Sequence, residues 1–262
     1  MKAAAERTTA VALWAASLAP LWAWWGRRLG DPMDLDVAAW AALAVLVVVL
    51  WRGAPRSAIR PSVSSIAIAA AGLAAFHVLR GFVPYTACGA AAILCGIPLL
   101  LPTGTSPAPY LALASVGLPT TMILDLFLGL PLRTVATAAA ASVLQAVGLP
   151  IARTGLEIAV GGTAVFVDVP CAGVHMLGAG ALTASALAAL FRFGWLKTLA
   201  LAAAAAVAVV CANIMRIVAL TLFAACGTEL SPSAHSAVGC ALLVPSMLTV
   251  ALLAHLMSRR KE

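Results

Sequence analysis

Eight long apolar runs constrain what this chain can fold into more than any other feature. A helix needs about 20 apolar residues to cross the hydrocarbon core of a bilayer. Only 10% of the residues are charged, and 63% are hydrophobic. The runs cover residues 9–25, 37–51, 63–82, 85–101, 108–130, 172–191, 196–223 and 235–257. The sequence therefore predicts an all-α polytopic membrane protein with about eight transmembrane helices.

Two segments between the fifth and sixth runs break this pattern. Residues 132–149 are rich in alanine and carry several polar side chains between two prolines, which favours a helix that lies in the membrane interface. Residues 151–170 alternate β-branched and polar residues on either side of a Gly-Gly pair, which predicts a short extracytoplasmic β-hairpin. We therefore divide one integrated membrane domain into an N-terminal transmembrane bundle, residues 1–130, and a second membrane region, residues 131–262, which contains the candidate active site described below.

Clusters of basic residues predict the orientation of the chain. Loops rich in Lys and Arg remain on the cytoplasmic side of a membrane. An odd number of spans before the hairpin places every major cluster in the cytoplasm, and it places residues 151–170 and 227–234 outside. The formal net charge of +7 comes from short clusters that are not interleaved with aromatic residues, so a nucleic-acid partner is not predicted. The clusters are Arg52 with Arg56 and Arg60, Arg192 with Lys197, and residues 259–261.

Three polar residues near the outer ends of the last three runs form a candidate active site. Cys171 precedes an inward run, and His235 opens the last one. Arg216 lies 19 residues after Lys197, or about 28 Å along a helix, which returns it to the outer leaflet. We therefore expect the side chains of Cys171, Arg216 and His235 to lie at similar depth.

A cysteine, an arginine and a histidine at one depth are suited to acyl transfer. An arginine inside the apolar boundary costs from about 2.5 kcal/mol upward, so it indicates a function. We expect Arg216 and a helix N-terminus to lower the pKa of Cys171, and Arg216 to bind an oxyanion. His235 is the candidate general acid and base. Asn213 is expected to orient Arg216 or to hydrogen-bond across helices, and Gly173 to permit a tight turn into the next helix. A thioester intermediate follows from these roles.

Two other functions remain open at this point. A transporter or ion-binding membrane protein would use Arg216 with Asp125, the only acidic residue deep in an apolar run, and with His77. A scaffold without activity would leave Cys171 no more reactive than the other cysteines. No Cys-x-x-Cys pair occurs, so neither a metal site nor a disulfide framework is predicted, and no cofactor is expected. The remaining cysteines are interpreted as small packed residues: Cys88, Cys95, Cys211, Cys226 and Cys240.

The residues of the candidate site also carry a family resemblance. Cys171-Ala172-Gly173, the segment Asn213-Ile214-Met215-Arg216-Ile217, and His235 occur in an order and spacing that resemble the exosortase/archaeosortase family of membrane transpeptidases. The resemblance covers about residues 131–257. Ala172 departs from it, because serine is the commoner family residue at that position.

The resemblance implies a cysteine transpeptidase or peptidase that cleaves C-terminal sorting signals of secreted proteins. Such a signal consists of a short motif such as Pro-Glu-Pro, a transmembrane helix and a basic tail, and the product is transferred to a lipid or glycan acceptor at the cell surface. In this chain Cys171 would be the nucleophile, with Arg216 and His235 as its partners. The implied location is the bacterial plasma (inner) membrane, with the active site on the extracytoplasmic side.

Overall fold

Helices dominate the structure, a computed structural model that describes residues 2–29, 37–53, 62–101, 104–118, 121–228 and 231–259. These residues form ten α-helices, three short strands and a 3₁₀ turn. The chain divides into one unit of Met1–Thr120 with Ser185–Thr198, and a second of Thr121–Ala184 with Leu199–Glu262. The functional division predicted between residues 1–130 and 131–262 stays a prediction.

The first unit contains helices and their connections, with no strand among its described residues. Its core contains Trp14, Leu18 and Phe76. Two of its helices, α4 (Val63–Leu79) and α5 (Tyr85–Leu100), pack so closely that a Cβ on Gly72 would lie 2.5 Å from the Cβ of Cys95. The single span predicted over residues 9–25 is two helices, because a proline follows the break and its ring collides with the preceding turn. The helices are α1 (Lys2–Ser17), α2 (Ala19–Leu29), α3 (Val37–Gly53), α4 (Val63–Leu79), α5 (Tyr85–Leu100) and α6 (Ala108–Val116).

The second unit contains all the candidate site residues. In chain order, one helix is followed by a three-stranded antiparallel sheet and then by three helices. A 3₁₀ turn, Val169–Ala172, joins the last strand to the first of these three helices. The elements are α7 (Thr121–Ala146), β1 (Ile151–Thr154), β2 (Glu157–Val160), β3 (Thr163–Phe166), α8 (Val174–Leu190), α9 (Trp195–Ala225) and α10 (Pro232–Arg259). The last residues of α8 and the first residues of α9 belong to the first unit.

The boundary predicted at Pro131 is wrong. Helix α7 runs through Pro131 without a break, so the separate interfacial helix over residues 132–149 does not form. Apolar helices tolerate proline because neighbouring groups compensate for the lost hydrogen bond. The predicted span over 108–130 is replaced by α6, whose nine residues are too short to cross a bilayer, and by α7 with 26 residues.

The predicted number of spans is supported in part. Three helices in the described part of the chain are long and apolar enough to cross a membrane: Leu124–Ala146, Trp195–Ala225 and Ser233–Arg259. Four shorter apolar helices are Trp40–Leu50, Val63–Leu79, Ala87–Leu100 and Val174–Leu190. Of the predicted cytoplasmic clusters, Arg56, Arg60, Arg260 and Lys261 lie outside the described residues, as do residues 229–230 of the predicted outer loop.

The predicted hairpin is confirmed, and a third strand extends it. Strands β2 and β3 pair around the Gly-Gly turn, and β1 pairs with the other edge of β2. Ile158, Val160 and Val167 are buried, whereas Ala164 and Phe166 on the opposite face are exposed. The buried side chains Ile158 and Val167 join a core with residues of α7 and α9, and Cys171 belongs to the same core. This packing fixes the sheet beside the 3₁₀ turn that carries Cys171.

Candidate active site

Cys171 is held by a short turn rather than by a long helix. Asp168 caps that turn, because its Oδ1 accepts a hydrogen bond from Val169 N at 2.6 Å and its carbonyl accepts one from Cys171 N at 2.9 Å. Gly173 then turns the chain with a left-handed φ of 80°, and α8 begins at the next residue. Cys171 therefore lies before α8, separated from its N-terminus by Gly173.

Asn213 of α9 fixes the backbone of the same turn. Its Nδ2 donates a hydrogen bond to the carbonyl oxygen of Cys171 at 2.9 Å. A Cβ on Gly173 would lie 2.9 Å from both Nδ2 and Cγ of Asn213, so only glycine leaves room for this amide. Of the two roles expected for Asn213, the structure shows the hydrogen bond across elements. Its Oδ1 is buried and has no hydrogen-bond partner among the described residues.

His235 faces Cys171 from the first turn of α10. Its Nε2 lies 3.6 Å from Cys171 Sγ, within the range of a sulfur hydrogen bond. The backbone of His235 is anchored in the helix, since its N–H donates to the carbonyl of Ser231 at 2.9 Å. In the tautomer with the proton on Nδ1, Nε2 accepts the thiol proton.

Arg216 lies beside this pair and is buried despite its charge. Only 8% of the residue is exposed. Arg216 and Asn213 are three positions apart on α9 and share one helical face. On α10, Gly239 follows His235 by four residues, and a Cβ there would lie 3.2 Å from Arg216 Nε and 3.4 Å from its Cζ. The guanidinium therefore packs against α10 where that helix has no side chain.

The electrostatics of the Cys171 thiol differ from the expectation. Burial raises the pKa of Cys171, and this effect exceeds the opposing effect of the positive charge of Arg216. The carboxylate of Asp168 raises the pKa of Cys171 further. The expected lowering by Arg216 is present, but the expectation of a lowered pKa overall is wrong. The thiol is therefore mostly protonated at neutral pH, and its reaction needs a base.

An open cleft of about 580 Å³ gives access to the sulfur. Cys171 and His235 lie in the cleft, the C-terminal half of α9 forms one wall, and β3 with the residue after it forms another. An extended polypeptide could therefore reach the thiol. The lining residues are Thr163, Val165, Phe166, Val167, Cys171, Ile217, Leu220, Ala224, Gly227, Thr228 and His235.

Within the second unit, Asp125 is not joined to Arg216 as the transporter hypothesis requires. The Asp125 carboxylate lies over Gly129 of its own helix, where its Oδ1 would be 2.6 Å from an added Cβ. No hydrogen bond or ion pair between Asp125 and Arg216 is seen in the described part of the second unit. His77 belongs to the first unit, and its Nε2 lies 3.2 Å from the carbonyl oxygen of Ser17. Within the described residues, no three His, Cys, Asp or Glu side chains are grouped as metal ligands.

Two residues of the site were not predicted from the sequence. Asp168 precedes a Val-Pro-Cys segment, and an aspartate before a proline-containing turn is a capping signal. Gly239 stands one helical turn after His235, and a glycine at that spacing marks a close approach on the same face. Both signals are local, but neither points to Cys171 or Arg216 without the tertiary structure.

Comparison with known families identifies a family model that covers most of the chain. The family model described as Transmembrane exosortase (Exosortase_EpsH) matches residues 21–252, which is most of the chain. No curated protein and no solved structure gives a significant match. The match confirms the resemblance drawn from the sequence, and it extends that resemblance toward the N-terminus as far as residue 21.

Proposed function

Because the chain belongs to the transmembrane exosortase family, we propose that it is a membrane cysteine transpeptidase that cleaves the C-terminal sorting signals of secreted proteins. The observation that carries this proposal is the 3.6 Å approach of Cys171 Sγ to His235 Nε2 in an open cleft. Arg216 adds a fixed positive charge to the same site. A thiol, a base and a cation so arranged are the parts that a thioester mechanism requires.

Acylation would begin with a proton transfer. His235 Nε2 takes the proton of the Cys171 thiol, and the thiolate attacks the carbonyl carbon of the scissile peptide bond. The carbonyl oxygen becomes an oxyanion, which the guanidinium of Arg216 stabilises. The C–N bond then breaks, and His235 gives its proton to the departing amine of the C-terminal fragment. The secreted protein is left as a thioester on Cys171.

The second half of the reaction would transfer the protein to an acceptor. A nucleophilic group of a surface lipid or glycan loses its proton to His235 and attacks the thioester carbonyl. The C–S bond breaks, and Cys171 regains its proton from His235. Water in place of the acceptor gives hydrolysis by the same steps, so transpeptidase and peptidase outcomes differ only in the nucleophile that enters the cleft.

We place the cleft on the extracytoplasmic face of a bacterial plasma membrane. The support is the distribution of basic residues, which favours a cytoplasmic position for the Arg192 and Lys197 end of α8 and α9. The candidate site lies near the opposite ends of these two helices. Sorting signals of secreted proteins would reach it after translocation, while their transmembrane helices are still in the bilayer. No observation favours the transporter alternative.

The test is processing of a reporter by Cys171 variants. The substrate is a secreted reporter fused to a short motif, a span and a basic tail taken from a protein of the same genome. We expect Cys171→Ala and Cys171→Ser to insert normally and to abolish cleavage, because a serine hydroxyl is a far poorer nucleophile without strong activation. Cys226→Ala is the matched control, since Cys226 is an exposed cysteine near the end of α9. Normal cleavage by Cys171→Ala would refute the proposed function.

A further inference from the structure

The outer edge of β3 is the feature that the proposed mechanism leaves unused. The strand order is β1-β2-β3, so β3 has one strand neighbour and one open edge among the described residues. The backbone N–H and C=O groups of an edge strand that point away from the sheet are available to another chain.

The register of the sheet determines which residues of β3 point their backbone N–H and C=O groups away from β2. Glu157 pairs with Phe166, so Leu156 stands opposite Val167, and Val167 N donates to Leu156 O at 2.9 Å. Hydrogen-bonded pairs alternate with non-hydrogen-bonded pairs along an antiparallel ladder. The backbone groups of Thr163, Val165 and Val167 therefore point toward β2. Those of the two residues between them, Ala164 and Phe166, point outward.

The same reasoning identifies the outward groups of β1. The residues of β2 that do not bond to β3 bond to β1, namely Glu157 and Ala159, whose partners are Thr154 and Ala152. Ile151 and Arg153 therefore point outward. The structure agrees, because the carbonyl of Ile151 accepts a hydrogen bond from the side chain of Gln145 at 3.3 Å. The outer edge of β1 thus faces α7, on the side of the sheet away from β3.

The open edge of β3 borders the cleft that contains the nucleophile. Four of the residues that line the cleft come from β3 and the residue after it, and none comes from β1 or β2. The four are Thr163, Val165, Phe166 and Val167. The two outward residues are solvent-exposed, and 61% of Phe166 is exposed. Cys171 follows β3 by five residues and lies in the same cleft. A strand added to this edge would therefore lie beside the cleft that contains the Cys171 sulfur.

We propose that the enzyme binds its substrate as a fourth β-strand on the outer edge of β3. The occupant is an extended polypeptide segment next to the scissile bond, between the folded secreted domain and the transmembrane helix of the sorting signal. It would form backbone hydrogen bonds with Ala164 and Phe166, while the lining side chains contact alternate residues of the segment. This inference rests on the proposed function, because it concerns the substrate of that reaction.

The first test removes one outward N–H without disturbing the sheet. Ala164→Pro removes a donor that does not bond to β2, and proline is tolerated at such edge positions. Ala164→Val enlarges the same side chain but keeps the N–H. We expect cleavage of the reporter fusion by Ala164→Pro to be about tenfold slower, at subsaturating substrate, than cleavage by Ala164→Val. Arg153→Pro removes the corresponding N–H from the far edge, and its rate should stay within about twofold of the parent.

The fold of each variant is checked at the nucleophile itself. The rate of Cys171 alkylation by a small maleimide should be the same in Ala164→Pro and in the parent, because this reagent needs no strand. If the alkylation rate changes in Ala164→Pro, the test moves to the second outward N–H. Cleavage by Phe166→Pro is then compared with cleavage by Phe166→Val. Equal cleavage rates for proline and valine at both positions would overturn the inference.

A second experiment leaves the enzyme unchanged and alters the substrate backbone. Synthetic sorting signals carry one N-methyl group at successive positions of the segment before the span. If the segment binds as a strand on β3, N-methylation should slow cleavage at every second position, since only alternate residues of an added strand form hydrogen bonds with the edge. Uniform or absent sensitivity would contradict this. If the parent enzyme fails to cleave the unmodified fusion, or if Cys171→Ala cleaves it, the proposed function fails instead.

Discussion

Gly173 is a position at which one added methyl group has a cost that can be worked out from the structure. An alanine there must hold a left-handed φ of 80°, which costs about 1–2 kcal/mol. Its Cβ would lie 2.9 Å from Asn213 Nδ2, so the amide moves and its hydrogen bond to Cys171 is lost. That loss adds about 0.5–1.5 kcal/mol. We expect Gly173→Ala to lower the free energy of unfolding by about 1.5–3.5 kcal/mol.

A double-mutant cycle separates the two contributions. In an Asn213→Ala background the obstructing amide is absent, so Gly173→Ala should cost only the backbone strain of about 1–2 kcal/mol. Gly148→Ala is the matched control, because Gly148 has a φ of 86° and an added Cβ would have no neighbour within 4 Å. Unfolding is measured by circular dichroism as SDS is added to detergent micelles. Equal costs of Gly173→Ala in both backgrounds would refute the contact with Asn213.

Three further predictions concern the thiol, the base and the orientation of the chain. Arg216→Gln should raise the apparent pKa of Cys171 further and Asp168→Asn should lower it, because the two charges act on the thiol in opposite directions. The readout is alkylation rate against pH, in a chain whose other cysteines are alanine, and parallel shifts in the two variants would contradict the electrostatic account. His235→Ala should slow cleavage about 10²–10⁴-fold, with a residual rate that rises with pH as Cys171 ionises without a base; a residual rate independent of pH would exclude this role. A cysteine at Gly162 should react with an impermeant maleimide added to intact cells, and labelling only after lysis would reverse the predicted topology.

The apolar helices and the hairpin could be predicted from the sequence because their determinants are local. A run of about 20 apolar residues has few alternatives to a buried helix, and α9 and α10 begin and end within three residues of the predicted positions. The Gly-Gly pair at residues 161–162 also placed the β2–β3 turn correctly, since both glycines have positive φ values. Residue counting along α9 predicts a depth for Arg216 similar to that of Cys171, and Arg216 lies in the C-terminal half of that helix.

Other features of the molecule depend on neighbours that are distant in sequence. From the local sequence a proline predicts the end of a helix. Helix α7 nevertheless continues through Pro131, because an apolar, packed helix can accommodate a proline. The pKa of Cys171 is set by a balance between burial and two charges, and burial is not encoded in the residues next to it. The spacing of Gly239 does not reveal that Arg216 fills the room it leaves, and no local pattern places the open edge of β3 beside the nucleophile, because each is a relation between two elements that meet only after folding.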